Sequence, residues 1–218
     1  MTAIRVDETA RKLRERLHAY GPAKTRLLLR VVRAVSGGQP VTPEEVERHS
    51  AALGLAHDVA DRFLREVTER DALDRIIGVM GLSQGDHPHH ITVAGVPLTA
   101  WCALDTLFLP ALLGQPATIE SPAPGTHELV RLRVTPERVE EVNPAGAALT
   151  FVLVDLDQAA MRTVEAVWMA FCTHVHFFPS RAAAERWACG RDDLTVLTVA
   201  EGFALGRAVW GPLLDQAA

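Results

Sequence analysis

Two kinds of apolar spacing divide this chain. Up to about residue 70 the apolar side chains recur every three to four positions, and from Ala117 they recur every second one. The first spacing lines one face of a helix, the second one face of a strand. Helices gathered at one end, followed by short strands joined through turns with helices irregularly interspersed, predict an α+β fold. The sheet should be largely antiparallel, because the strands and helices do not alternate as repeated βαβ units would require.

Residues 3–20 read as a charged amphipathic helix stopped at Gly21-Pro22. A second helix, 23–35, carries Leu27, Leu28, Val31, Val32 and Val35 at helical spacing. Thr42-Pro43-Glu44-Glu45 is a helix start, with an N-cap threonine, proline at the first position and a capping-box glutamate. That helix runs to about Leu53, and another spans about His57 to Arg70. With a hairpin read from 76–79 and 91–93, residues 1–80 make a helical, winged-helix-like N-terminal domain, and 81–218 an α+β domain. The would-be recognition helix sets Asp58, Asp61, Glu66, Glu69 and Asp71 against Arg62, Arg65 and Arg70. An acidic balance repels phosphates, so nucleic acid is not an expected partner and the module reads as a structural cap.

Downstream, 91–98 reads as strand, tight turn, strand, and Thr99 as the cap of a helix closed by Gly114. Strands are expected at 117–120, 128–134, 147–154, 171–178 and 194–198, with helices at 156–167, 180–189 and 200–214. The loop Gly85-Asp-His-Pro-His-His90 reads as solvated rather than metal-binding. Net charge is −5, and no apolar run approaches the ~18 residues of a membrane span. A charged N-terminus and three cysteines without a CxxC pair lead us to expect a reduced, cytoplasmic protein with no membrane partner.

Chemistry concentrates in two distant stretches, Thr99-Ala-Trp-Cys-Ala-Leu-Asp-Thr-Leu107 and Phe171-Cys-Thr-His-Val-His-Phe-Phe178. Cys102 and Asp105 lie at i and i+3, on one helix face. Cys102 in a first turn is expected to gain thiolate character from free N–H groups, with Asp105 beside it to exchange a proton. Strand alternation would put Cys172, His174 and His176 on one face. Folding that unites the stretches makes a soft-metal site, and Cys₂His₂ zinc is a second candidate. Trp101 and Phe171 are candidate pocket walls. A cytosolic metal-binding or metal-sensing protein using the same two thiols, and a zinc hydrolase, are the alternatives.

Trp101-Cys-Ala-Leu-Asp-Thr-Leu107, Pro110-Ala-Leu-Leu-Gly114, Asn143-Pro-Ala-Gly146 and the second stretch follow one another as in the bacterial organomercurial lyases, which this chain resembles from about Pro97 to Phe178. The resemblance continues loosely through Trp187, Glu201-Gly-Phe203 and Gly206. It implies protonolysis of a carbon–mercury bond by Cys102, Asp105 and Cys172. Product Hg(II) would rest on the two sulfurs with Asp105 in reach. No cofactor is implied, and excess low-molecular-weight thiol is expected for release. The partners implied are an organomercurial substrate and, as Hg(II) acceptor, mercuric reductase or cellular thiols. Thr173 stands where a second adjacent cysteine is common in that family, and Cys189 reads as structural. Another organometal, such as an organotin, would suit the same three groups.

Overall fold

Helical spacing, proline at a first turn and side-chain caps set the N-terminal elements. In the computed structural model, which describes residues 2–153 and 163–215, they are α1 (Thr2–His18), α2 (Gly21–Val35), α3 (Pro43–Ala51) and α4 (His57–Val67). The capping box of α3 is present: Thr42 N donates to Glu45 Oε2 at 2.9 Å, and Glu45 N to Thr42 Oγ1 at 3.3 Å. The apolar stripe of α2 is buried along its length, from Leu27 to Val35.

The chain then enters a sheet earlier than its spacing suggests. Strand β1 (Thr68–Arg70) takes residues expected to finish α4, and it pairs with β2 (Ile76–Val79). Residues 76–79 and 91–93 therefore do not form the expected hairpin. Between them lies β3 (Leu82–Ser83), and β4 (His89–Val93) pairs instead with β5 (Val96–Ala100) and β6 (Ala117–Pro122). Strands β7 (Leu129–Val134) and β8 (Val139–Asn143) complete an eight-stranded sheet in the order β1-β2-β3-β5-β4-β6-β7-β8. Every pairing is antiparallel, as an α+β fold of this kind requires. Strand β8 is absent from the sequence reading because it is a partly exposed edge whose pattern lacks a buried stripe.

Helix α5 (Ala103–Leu113) follows β5 and is buried nearly all round; Gly114 ends it in the left-handed conformation at φ 66°. A second sheet, β10 (Phe177–Phe178), β9 (Ala148–Val152) and β11 (Leu194–Thr198), packs nearby with α6 (Val164–Ala170), α7 (Arg181–Ala188) and α8 (Val199–Asp215). The first part of the helix expected at 156–167 lies outside the described residues. The expected strand at 171–178 is corrected: Cys172–His174 is a 3-10 turn, and only Phe177–Phe178 joins a sheet. One hydrophobic cluster runs from Leu27 in α2 to Val209 in α8, so α5 is enclosed by both ends of the chain.

Phe151, fully buried in β9, meets Phe171 edge-on at 5.6 Å and so couples the core to the second cysteine stretch. Phe151→Ala should destabilise the fold by about 3–5 kcal/mol through the cavity it leaves, read as a lowered midpoint in urea unfolding.

Candidate functional site

A capping box supplies the first half of the site. Cys102, not Thr99, is the N-cap of α5, in extended backbone at φ −147°. Asp105 at the third helical position returns its carboxylate to the Cys102 amide, which donates to Oδ2 at 2.8 Å. Thr99 stays in β5, its hydroxyl donating to Gly85 O at 2.7 Å. The bond that starts the helix thus holds a carboxyl group beside a thiol.

Backbone contacts bring in the second half. Ala103 N donates to Val175 O at 3.0 Å, stitching the start of α5 to the second stretch. Thr150 in β9 holds that stretch from behind. Its hydroxyl donates to His174 O at 2.8 Å and accepts from His176 N at 3.1 Å. With the chain wound into a 3-10 turn there, Cys172 points to Cys102. The ligand atoms of Cys102, Asp105 and Cys172 all lie within 4.8 Å of one another, and all three residues are buried.

The histidines do not join them. His176 Nε2 bonds Thr173 O at 2.8 Å, and His174 Nδ1 faces Arg191 at 3.3 Å. Among the described residues the only gathered metal-ligand group is the two thiols with the carboxyl, so the Cys₂His₂ arrangement is not formed. The 85–90 loop also departs from its solvated reading. His89 is fully buried with Nδ1 2.7 Å from Ser121 Oγ, and His87 Nε2 lies 3.1 Å from Glu69. Cys189 is exposed at the end of α7, and the structure assigns it no partner in the site.

Burial reverses one electrostatic expectation. Desolvation, the bond with Cys172 and the nearby Asp105 push the Cys102 thiol well above its ordinary range. For Cys172 the bond from Cys102 lowers the pKa, but burial and the Asp105 charge outweigh it and the net shift is upward. The resting pair is thiol, because the cost of burying a thiolate exceeds what helix N–H groups return. Burial pushes the Asp105 carboxyl up to about 7, against lowering by its two bonds from Cys102 and by His87. Such an acid holds and releases a proton near neutrality.

Gly81 makes room for that carboxyl. It sits at φ 85°, and any Cβ there would collide with Asp105. Next to Asp105 opens a cavity of about 130 Å³, apolar for the most part. Trp101, Phe171, Phe108 and Trp210 line it, together with Leu13 and Leu17 of α1. Both aromatic residues expected as pocket walls, Trp101 and Phe171, are therefore at the cavity. Thr150 and Gly81 escape the sequence reading because neither a strand threonine nor a turn glycine carries a chemical signal of its own.

A site of two buried thiols and one raised carboxyl matches a known class. The sequence profile described as alkylmercury lyase matches residues 82–211. The alkylmercury lyase of Streptomyces lividans is 38% identical over 221 residues, covering 96% of each chain. That of Bacillus cereus is 38% identical over 179 residues, covering 81% of this chain and 77% of its own. The crystal structure of the mercury-bound form of MerB2 shares the fold, with a TM-score of 0.76 at 24% identity over 94% of this chain and 98% of that one. This chain belongs to the alkylmercury lyase family.

The Asp105 shift fixes a stability slope. An acid whose folded pKa is about 7 against an ordinary 3.8 binds its proton more tightly when folded. It favours the fold below about pH 4, and that contribution is lost as pH rises to about 7. Between about pH 5 and about pH 8, urea unfolding should show wild type losing stability relative to Asp105→Asn.

Proposed function

We infer that this chain is an organomercurial lyase that cleaves the carbon–mercury bond of R–Hg(II) by protonolysis, giving R–H and Hg(II). The observation that carries the reading is the buried convergence of two sulfurs and one titratable carboxyl on a single point. Mercury(II) is soft and prefers sulfur to oxygen or nitrogen. Two thiols with a proton donor, and no imidazole in the set, suit it better than they suit zinc.

The steps follow from the residues. Cys102 exchanges with the thiol that carries the organomercurial, forming R–Hg–S(Cys102) and freeing that thiol with the Cys102 proton. Cys172 then approaches the metal as Asp105 takes its proton. The second thiolate adds electron density to mercury, weakens the carbon–mercury bond and puts carbanion character on carbon. Asp105 delivers the proton it holds to that carbon. R–H leaves, Hg(II) stays on Cys102 and Cys172 with Asp105 in reach, and Asp105 is returned to its starting state. An acid with pKa of about 7 serves both transfers, because neither form dominates near neutral pH.

The cavity supports an apolar R group. An apolar cavity of about 150 Å³ accepts benzene in other proteins, and this one measures about 130 Å³. Trp101 and Phe171 flank the thiols and exclude water from the developing carbanion. Residues 1–80 act as a cap on the catalytic part, 81–218, since Leu13, Leu17, Tyr20 and Leu28 supply part of the cavity lining. No organic cofactor enters the chemistry. Cellular thiols or a mercuric reductase take the Hg(II), and the reaction belongs in the cytoplasm, where such thiols abound. No described helix is long and apolar enough to cross a membrane.

Phenylmercury incubated with the protein and excess thiol should yield benzene by gas chromatography; mercury uptake without benzene would leave a binding protein instead. Cys102→Ser and Cys172→Ser should each abolish release, because hard oxygen does not replace sulfur on mercury. Asp105→Asn should retain mercury binding and lose roughly 10²- to 10⁴-fold in turnover, the usual contribution of a positioned proton donor.

A further inference from the structure

A second carboxylate lies behind the site, and the chemistry above does not use it. Glu69 of β1 is half-buried, and its Oε2 collects three donors. Ser83 Oγ donates at 2.7 Å, the Trp101 indole Nε1–H at 3.1 Å, and His87 Nε2 lies at 3.1 Å. Two glycines shape the recess around it. A Cβ at Gly78 would lie 2.5 Å from Glu69 Oε2, and one at Gly85 2.6 Å from Oε1. Burial alone would raise this carboxyl, yet the bonds from His87, Ser83 and Trp101 hold it below the usual carboxylate range. It is a charged acceptor engaged through one oxygen, Oε2.

What Glu69 grips is a wall of the reaction cavity. Trp101 is only 7% exposed and precedes Cys102 directly. Its main-chain N–H donates to Gly81 O at 2.9 Å, the same Gly81 whose missing Cβ admits Asp105. The residues from Gly78 to Gly85 therefore seat both carboxylates, Asp105 at Gly81 and Glu69 between Gly78 and Gly85. Indole placement is set at two points, the backbone bond to Gly81 and the side-chain bond to Glu69. An indole without the second point loses the side-chain bond that fixes its tilt at the cavity lined by Asp105 and Cys172.

We propose that Glu69 is a positioning residue that acts through Trp101, clamping the indole so that its face holds the organic group of the substrate in line with the Asp105 carboxyl. Its kinetic consequence rests on the lyase reading above; the clamp itself does not. Charge-assisted hydrogen bonds are about twice as strong as neutral ones, which suits a carboxylate to the task. A reacting group displaced by even about 1 Å loses roughly 10²-fold in rate.

The test has a spectroscopic arm and a kinetic arm. In a proton–nitrogen correlation spectrum of the full chain, the Trp101 indole resonance is the one lost in Trp101→Phe. It should move upfield in Glu69→Leu, which has similar bulk and no acceptor. In Glu69→Gln, where a neutral amide oxygen replaces the carboxylate, it should move in the same direction by less. With phenylmercury, Glu69→Leu should lower kcat roughly tenfold, while Glu69→Gln recovers most of the rate. Each variant should still bind one equivalent of Hg(II).

Added to Trp101→Phe, Glu69→Leu should cost little more, because the clamp then has nothing to hold. An unchanged indole resonance in Glu69→Gln and Glu69→Leu overturns the proposal. So do independent, additive losses in the double variant, which a purely structural Glu69 would give. Should Glu69→Leu not fold, the Glu69→Gln resonance decides alone. Wild-type protein that releases no benzene sinks the lyase reading, and the indole resonance still judges the clamp.

Discussion

One hydrogen bond does two tasks in this protein, and the site depends on it. The Cys102 amide donates to the Asp105 carboxyl, starting α5 and fixing a carboxyl group beside a thiol. A capping box made by serine or threonine would start the helix as well. Cysteine in that place brings sulfur to the helix entrance, and burial of both residues then raises the carboxyl to a value useful near neutrality. The helix cannot begin at Cys102 without placing these groups together.

The surrounding structure reads as support for that pair. Gly81 yields the volume the carboxyl occupies, and Glu69 ties the neighbouring indole. Thr150 and the Ala103–Val175 backbone bond carry Cys172 to the same point from a different sheet. Helices from the N-terminal part close the cavity with leucines and leave the two sulfurs in apolar surroundings. In such surroundings an uncompensated thiolate is costly, so both side chains rest as thiols. A soft cation that replaces the protons removes the cost of burial.

Much of this was legible as spacing. The α2 stripe, the capping box of α3 and the pairing of Cys102 with Asp105 all follow from residues close in sequence, whereas Cys172 entered the set through the family resemblance. Readings failed where a long-range partner overruled local pattern. Residues 171–178 alternate like a strand, yet the 3-10 bonds and the Thr150 hydroxyl take the backbone groups a ladder would have used. Thr68 to Arg70 looked like the end of a helix, and an open edge at β2 drew it into the sheet instead. The polar histidine loop gave His89 to the core because strand alternation in β4 turns that position inward.

Sequence alone determined which groups could do the chemistry: a thiol and a carboxyl one helical turn apart, and a second thiol in an aromatic-rich stretch. Local spacing settles the first pair, since a helix face is decided over three or four residues, and the resemblance to a family supplied the second thiol. Tertiary structure decided that the thiols are protonated at rest, that Asp105 titrates near neutrality, that no histidine joins them and that Glu69 stands behind Trp101. Those outcomes depend on dehydration and on contacts between residues far apart in the chain, quantities that no local pattern encodes.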